Sequence, residues 1–114
     1  MKKIYIIISA YNEEENIPLL TNLLGESLQN INFQNYELVF VNDGSKDQTL
    51  LRLLEVQETQ KNITIVNQSK NFGHEVAMTA GLNYVAEQNK SQVSDYAVVF
   101  MDADLQHPPK IVAE

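Results

Sequence analysis

Four short runs of aliphatic, β-branched and aromatic residues punctuate the chain: IYIII at 4–8, YELVFV at 36–41, ITIV at 63–66 and YAVVFM at 96–101. Each is strand-length and bounded by polar turn residues, which predicts four strands. Between them the period changes. Ile17, Leu20, Leu24 and Leu28 recur at helical spacing in the first segment. Leu50, Leu51 and Leu54, continued by Gln57 or Glu58, mark the second, and Ala77, Ala80, Gly81 and Tyr84 the third. Strands alternating with helices pair in parallel through right-handed crossovers, so the pattern predicts an α/β fold with a mostly parallel sheet. The usual doubly wound order is 3-2-1-4.

Helix starts are marked by polar residues. Asn16 is the expected cap of the first helix, with Ile17 and Pro18 in its first turn, where a missing N–H costs little. Ser45 and Gln48 form an S-x-x-Q capping box for the second, with Asp47 at its positive end. Asn71 is the expected cap of the third. Pro108 and Pro109 predict the opening of a fourth helix, of which barely one turn remains before Glu114. That ending predicts the front part of a longer protein.

Composition narrows the function. A chain of 114 residues holds one domain at most. Without cysteine it has no disulfides and no thiolate metal site, which fits a reducing, cytoplasmic setting. Fifteen acidic against eight basic residues give a net charge of -7, and Arg52 is the single arginine; both argue against a nucleic-acid partner. The opening MKKIYIII resembles a signal peptide, but its apolar run is shorter than an h-region and leads into acidic residues, so a strand is expected. No segment approaches the roughly 18 apolar residues of a membrane span.

The polar segments converge. Strand 1 ends in SAYNEEEN, strand 2 in VNDGSKD and strand 4 in MDADLQ. In an open parallel sheet these ends share one edge, and the binding crevice opens where strand order reverses, between strands 1 and 4. Singly, each is an ordinary turn or an acidic helix start. Together they read as a site. An acidic chain with neither a G-x-G-x-x-G nor a Walker A loop has little fixed charge with which to hold a diphosphate. A divalent cation supplies it, because Mg²⁺ is held by one or two carboxylates plus substrate phosphates, and Mn²⁺ accepts the same set. Asp102 and Asp104, two apart in an extended segment, project to the same side.

SAYNEEENI, VFVNDGSKDQT, KNFGHEVAMTAGL and VVFMDADLQHPP resemble, in order and spacing, the amino-terminal half of family 2 glycosyltransferases. The likeness covers nearly the whole chain and is greatest to polyprenyl-phosphate glycosyltransferases of the dolichyl-phosphate mannose synthase and undecaprenyl-phosphate sugar transferase type. It implies a GT-A fold, Rossmann-like with three α/β/α layers, and makes residues 1–114 a nucleotide-sugar-binding part truncated at its carboxyl end. Ala10, Tyr11 and Glu13 would line the nucleoside pocket. Asp43 would accept a base N–H from uracil or guanine. Asp102 would contact ribose or metal, and Asp104 metal and diphosphate. Lys70 stands where the family more often has arginine and would approach the diphosphate as a point charge. Gln106 lies beside the metal site without an assigned role. Ser9 replaces a common proline and Asn42 a common aspartate.

The resemblance implies a metal-dependent, inverting transfer of sugar from a UDP- or GDP-linked donor to a polyprenyl phosphate, with Mg²⁺ or Mn²⁺ as cofactor. A phosphate acceptor is already anionic at neutral pH. The rival within the family is transfer to a sugar hydroxyl of a glycan, with a general base beyond Glu114; from another class, a non-catalytic nucleotide- or Mg-binding module. The family's remaining half supplies most of the acceptor site and, in many members, membrane helices. The whole protein is therefore expected at the cytoplasmic face of the membrane, and the 114-residue piece alone is expected to be inactive. Its fourth strand, left without the later strands that pair beyond it, predicts self-association of the piece. His74 and His107 lack the partners and spacing of a metal pair, Met78 and Tyr84 read as core, and Glu14 and Glu15 as solvated.

Overall fold

Ile6, Ile7 and Ile8 are each fully buried, although successive side chains of a strand point to opposite faces of a sheet. Both faces of the first strand are therefore covered, as in parallel sheets flanked by helices. The computed structural model describes residues 3–29, 35–60, 62–90 and 95–103. Within them run β1 (Lys3–Ala10), α1 (Asn16–Ser27), β2 (Tyr36–Asp43), α2 (Thr49–Thr59), β3 (Ile63–Gln68), α3 (His74–Asn89) and β4 (Tyr96–Asp102). The strands pair in parallel in the expected order, β3-β2-β1-β4.

Strand alternation sorts the core into two layers. Ile6, Ile8, Leu38 and Phe40 pack with Ile17, Leu20, Leu24 and Leu28 of the α1 segment and Leu53 of α2. Tyr5, Ile7, Val39 and Val41 pack with Ala77 and Val85 of α3. The fold is thus α1 and α2 on one face, sheet, then α3. Each fully buried aliphatic side chain contributes about 1.5–3 kcal/mol.

The apolar face of α1 is as expected, but that of α2 is not. Thr49 and Leu53 are buried, whereas Leu51 and Leu54 remain 46% and 45% exposed. The expected caps also differ. Asn16 is the first helical residue of α1 and follows Glu15; its amide and that of Ile17 are received by the Glu13 carbonyl, so an earlier turn leads into the helix. Gln48, not Ser45, precedes α2, and Gly73, not Asn71, precedes α3. At α2 a carboxylate takes over the duty, and at α3 a carboxylate holds the residues just before the helix, as described below. The expected fourth helix at Pro108 and Pro109 lies outside the described residues.

Tyr84, expected as core, packs beside that second layer and also carries a polar link. Its hydroxyl donates to the Glu37 carboxylate, which accepts Thr64 Oγ1 at 2.7 Å and pairs with Lys3 Nζ at 3.2 Å. Burial, reinforced by the bond to Glu37, pushes the Tyr84 phenol up to about 12. The neutral phenol is the form the fold favours, so this contribution is complete below the unfolded value near 10 and is lost as pH rises towards 12. Tyr84→Phe should cost about 1.5 kcal/mol at pH 7. The stability gap between wild type and variant, followed by urea unfolding, should shrink above pH 10. A gap that stays constant to pH 12 would refute the linkage.

Candidate functional site

The loops after β1 and β2 hold each other through short polar residues whose side chains bond backbone. After β1, Asn12 turns the chain with φ 54. Its N–H donates to Ser45 Oγ at 3.0 Å, and its side-chain oxygen accepts the Lys46 N–H at 2.8 Å. The Glu13 N–H donates to Thr49 Oγ1 at 2.8 Å and the Glu14 N–H to Asp47 Oδ2 at 3.4 Å. Asp47 Oδ1 accepts both the amide (2.9 Å) and the hydroxyl of Thr49, and so caps α2. Partial burial pushes the Asp47 carboxyl up, but the bonds from Thr49 and the Glu14 amide outweigh it and hold the group below the usual carboxylate range.

The end of β2 is buried and polar. Asn42 donates to Asn67 Oδ1 of β3 at 2.8 Å. Asp43 faces the other layer, and its two oxygens accept the Phe72 N–H at 2.9 Å and the Gly73 N–H at 3.1 Å. Asp43 thus holds, from another strand, the two residues that lead into α3. Gly44, at φ 65, lets the backbone of Lys70 and Asn71 press against it. On the far side of β1, Asp102 pairs in register with Ser9, and the Ala103 N–H extends the ladder to the Ser9 carbonyl at 3.2 Å. Asp102 Oδ1 lies 3.2 Å from His74 Nδ1, both side chains about half exposed.

These pieces enclose a cleft of about 400 Å³ over the end of β1, lined by Ser9, Tyr11, Glu13, Asp43, Asn71, Gly73, His74, Asp102 and Ala103. Of the residues expected here, Tyr11, Glu13, Asp43 and Asp102 line it. Ala10 lies fully buried beneath, because strand alternation sends it into the layer of Ile6 and Ile8. Lys70 does not line this cleft. It borders a second hollow of about 440 Å³ between the loops after β2 and β3, with its Nζ 5.2 Å from the Phe72 ring centre. Asp104, Gln106 and His107 lie outside the described residues.

His74, set aside on sequence grounds, is part of the lining. Its signal was its place, first in a helix that starts beside the point where strand order reverses. Among the described residues the lining carries three carboxylates and neither lysine nor arginine, so an anionic ligand there needs another source of positive charge. Among the described residues no group of three or more His, Cys, Asp or Glu could by itself hold a metal ion. Asp102 alone still fits the usual Mg²⁺ donor set, in which one or two carboxylates act with ligand phosphates. Asp43, with both oxygens engaged, keeps a second lone pair on each and can still receive a base N–H.

The chain matches the glycosyl transferase family 2 model over residues 5–114. It is 44% identical over 109 residues to an uncharacterised glycosyltransferase of Synechocystis sp., covering 96% of this chain and 31% of that protein. It is 35% identical over 111 residues to the undecaprenyl-phosphate 4-deoxy-4-formamido-L-arabinose transferase of Photorhabdus laumondii, again covering 96% and 31%. It superimposes on residues 1–349 of S. aureus TarS in complex with UDP-GlcNAc with a TM-score of 0.71 at 27% identity, covering 90% of this chain and 27% of that one. A mannosyltransferase from Pyrobaculum calidifontis, in complex with GDP-Man and Mn²⁺, shares the fold, with a TM-score of 0.74 at 24% identity and coverage of 90% and 27%. The chain spans 31% of the length of the curated relatives it matches.

Proposed function

The chain belongs to glycosyl transferase family 2, and from that premise we propose that residues 1–114 are the donor-binding part of an enzyme that transfers sugar from a nucleoside diphosphate sugar to a polyprenyl phosphate. The observation that carries this reading is the cleft over β1, whose lining among the described residues offers three carboxylates and no lysine or arginine. Tyr11, Glu13 and Asp43 would receive the nucleoside, Asp43 by accepting a base N–H. Asp102, with Asp104, would hold Mg²⁺ or Mn²⁺. The bound cation would offset the charge that grows on the diphosphate as it leaves. The acceptor phosphate oxygen would attack the anomeric carbon opposite the departing diphosphate, which inverts that centre.

The named relative that acts on an undecaprenyl phosphate supports a lipid acceptor, and the UDP-GlcNAc complex of the 27% identical structure supports a nucleotide sugar donor. Among the described residues no helix is long and apolar enough to cross a membrane. The longer protein would meet its lipid at the cytoplasmic face. Calorimetric titration with UDP and GDP tests the metal role: binding should need Mg²⁺ or Mn²⁺ and vanish with EDTA. Equal affinity in both conditions would sink it. Incubating the full-length enzyme with labelled donor and either a polyprenyl phosphate or a glycan then separates the two acceptor classes.

A further inference from the structure

Three successive amides of the loop after β1 are each received by a different side chain of the next loop. Asn12 N–H goes to Ser45, Glu13 N–H to Thr49 and Glu14 N–H to Asp47. The acceptors occupy positions 45, 47 and 49, and neither Thr49 nor Asp47 lines the cleft. We infer that Ser45, Asp47 and Thr49 are together positioning residues for nucleotide binding, which hold the backbone that presents Tyr11 and Glu13 to the cleft.

Thr49 is the centre of the arrangement. It is fully buried, and its hydroxyl accepts from the Glu13 amide while donating to the Asp47 carboxylate. A hydroxyl already bonded to an ionised acceptor is a better acceptor itself, so the chain of bonds reinforces its members. Asn12 turns the loop through the left-handed region, which asparagine enters more readily than other non-glycine residues, and its two neighbours Tyr11 and Glu13 line the cleft.

A plain helix cap explains less. Capping α2 requires only the bond from the Thr49 amide to Asp47 Oδ1. It gives no task to the buried hydroxyl, nor to the other two tethers. Thr49→Val separates the two roles: it keeps shape and the capping amide, but leaves the Glu13 N–H without its acceptor.

The inference rests on the nucleotide-binding reading of the cleft, and the experiment keeps the two apart. The full-length enzyme and its Thr49→Val, Thr49→Ser and Ser45→Ala variants are compared for UDP and GDP affinity by calorimetry, for donor KM and kcat, and for melting temperature. Thr49→Val should weaken nucleotide binding and raise KM about tenfold, with kcat at saturating donor within about twofold. Thr49→Ser, which restores the hydroxyl, should bind within about twofold of wild type. Ser45→Ala, which removes the outermost tether, should weaken binding about threefold, and it decides the matter if Thr49→Val does not fold. Wild-type affinity in Thr49→Val, or in Ser45→Ala where Thr49→Val cannot be purified, overturns the positioning role while leaving the cleft's assignment intact. Loss of kcat and melting temperature in Thr49→Val with KM unchanged also overturns it, as a purely structural part would behave so. A wild-type enzyme that binds neither nucleotide overturns both.

Discussion

Gly44→Ala is expected to push the loop after β3 off the end of β2 and to abolish nucleotide binding. A Cβ at this position would lie 2.1 Å from the Lys70 carbonyl carbon, 2.3 Å from the Asn71 nitrogen and 2.5 Å from the Lys70 Cα. All three are backbone atoms, so no rotamer change relieves the clash. The residue also stands at φ 65, where a side chain carries its own penalty. Moving the loop breaks the two amide bonds that Asp43 accepts from Phe72 and Gly73, each to a charged group worth about 1.5–3 kcal/mol. A loss of about 3 kcal/mol or more follows, a large share of the 5–15 kcal/mol that keeps a typical domain folded. Gly25→Ala is the control, since nothing lies within 4 Å of its Cβ position and it belongs to α1. That variant should match or slightly exceed wild-type stability. If Gly44→Ala melts with wild type and still binds UDP or GDP, the close approach does not hold the site.

Asp43→Ala should fail in two assays at once. The loss of the acceptor for the Phe72 and Gly73 amides should lower stability by about 2–4 kcal/mol, read from the urea midpoint. The loss of the partner for a base N–H should weaken nucleotide affinity by about 1–3 kcal/mol, or roughly fivefold to 150-fold. Asp43→Asn discriminates further. Its single carbonyl oxygen can serve one amide, but its NH₂ would face the other N–H, so most of the stability loss should remain. A variant as stable as wild type would show that the loop after β3 stands without Asp43; unchanged affinity would remove Asp43 from base recognition.

The strands and their order were legible because parallel strands buried on both faces leave continuous apolar runs, as Ile6, Ile7 and Ile8 illustrate. So was α1, whose four periodic positions are all buried. For α2 the reading failed, since Leu51 and Leu54 look apolar yet stay exposed, while Thr49 is buried with its hydroxyl satisfied by a residue 36 positions earlier. Caps failed for a related reason. A capping template looks three residues along the chain, but the turn that leads into α3 is held by Asp43, from a strand 30 positions before Gly73. Of the residues that the resemblance implied at the nucleotide pocket, Tyr11, Glu13, Asp43 and Asp102 line the cleft, because topology brings the ends of β1, β2 and β4 to one edge. Lys70 and Ala10 do not, because their direction depends on the close packing at Gly44 and on strand alternation.

The spacing 45, 47, 49 acts as a ruler. Three hooks two residues apart meet three consecutive rungs, so the length of this turn is a fixed quantity while much of its chemistry is free. A single insertion or deletion between Ser45 and Thr49 should shift at least one hook relative to the others and off its rung. Exchanges at Lys46 and Gln48, whose side chains hold none of those amides, leave the ruler unmarked. Sequence drift in this turn is therefore confined to letters, and its count of residues is what the pocket records.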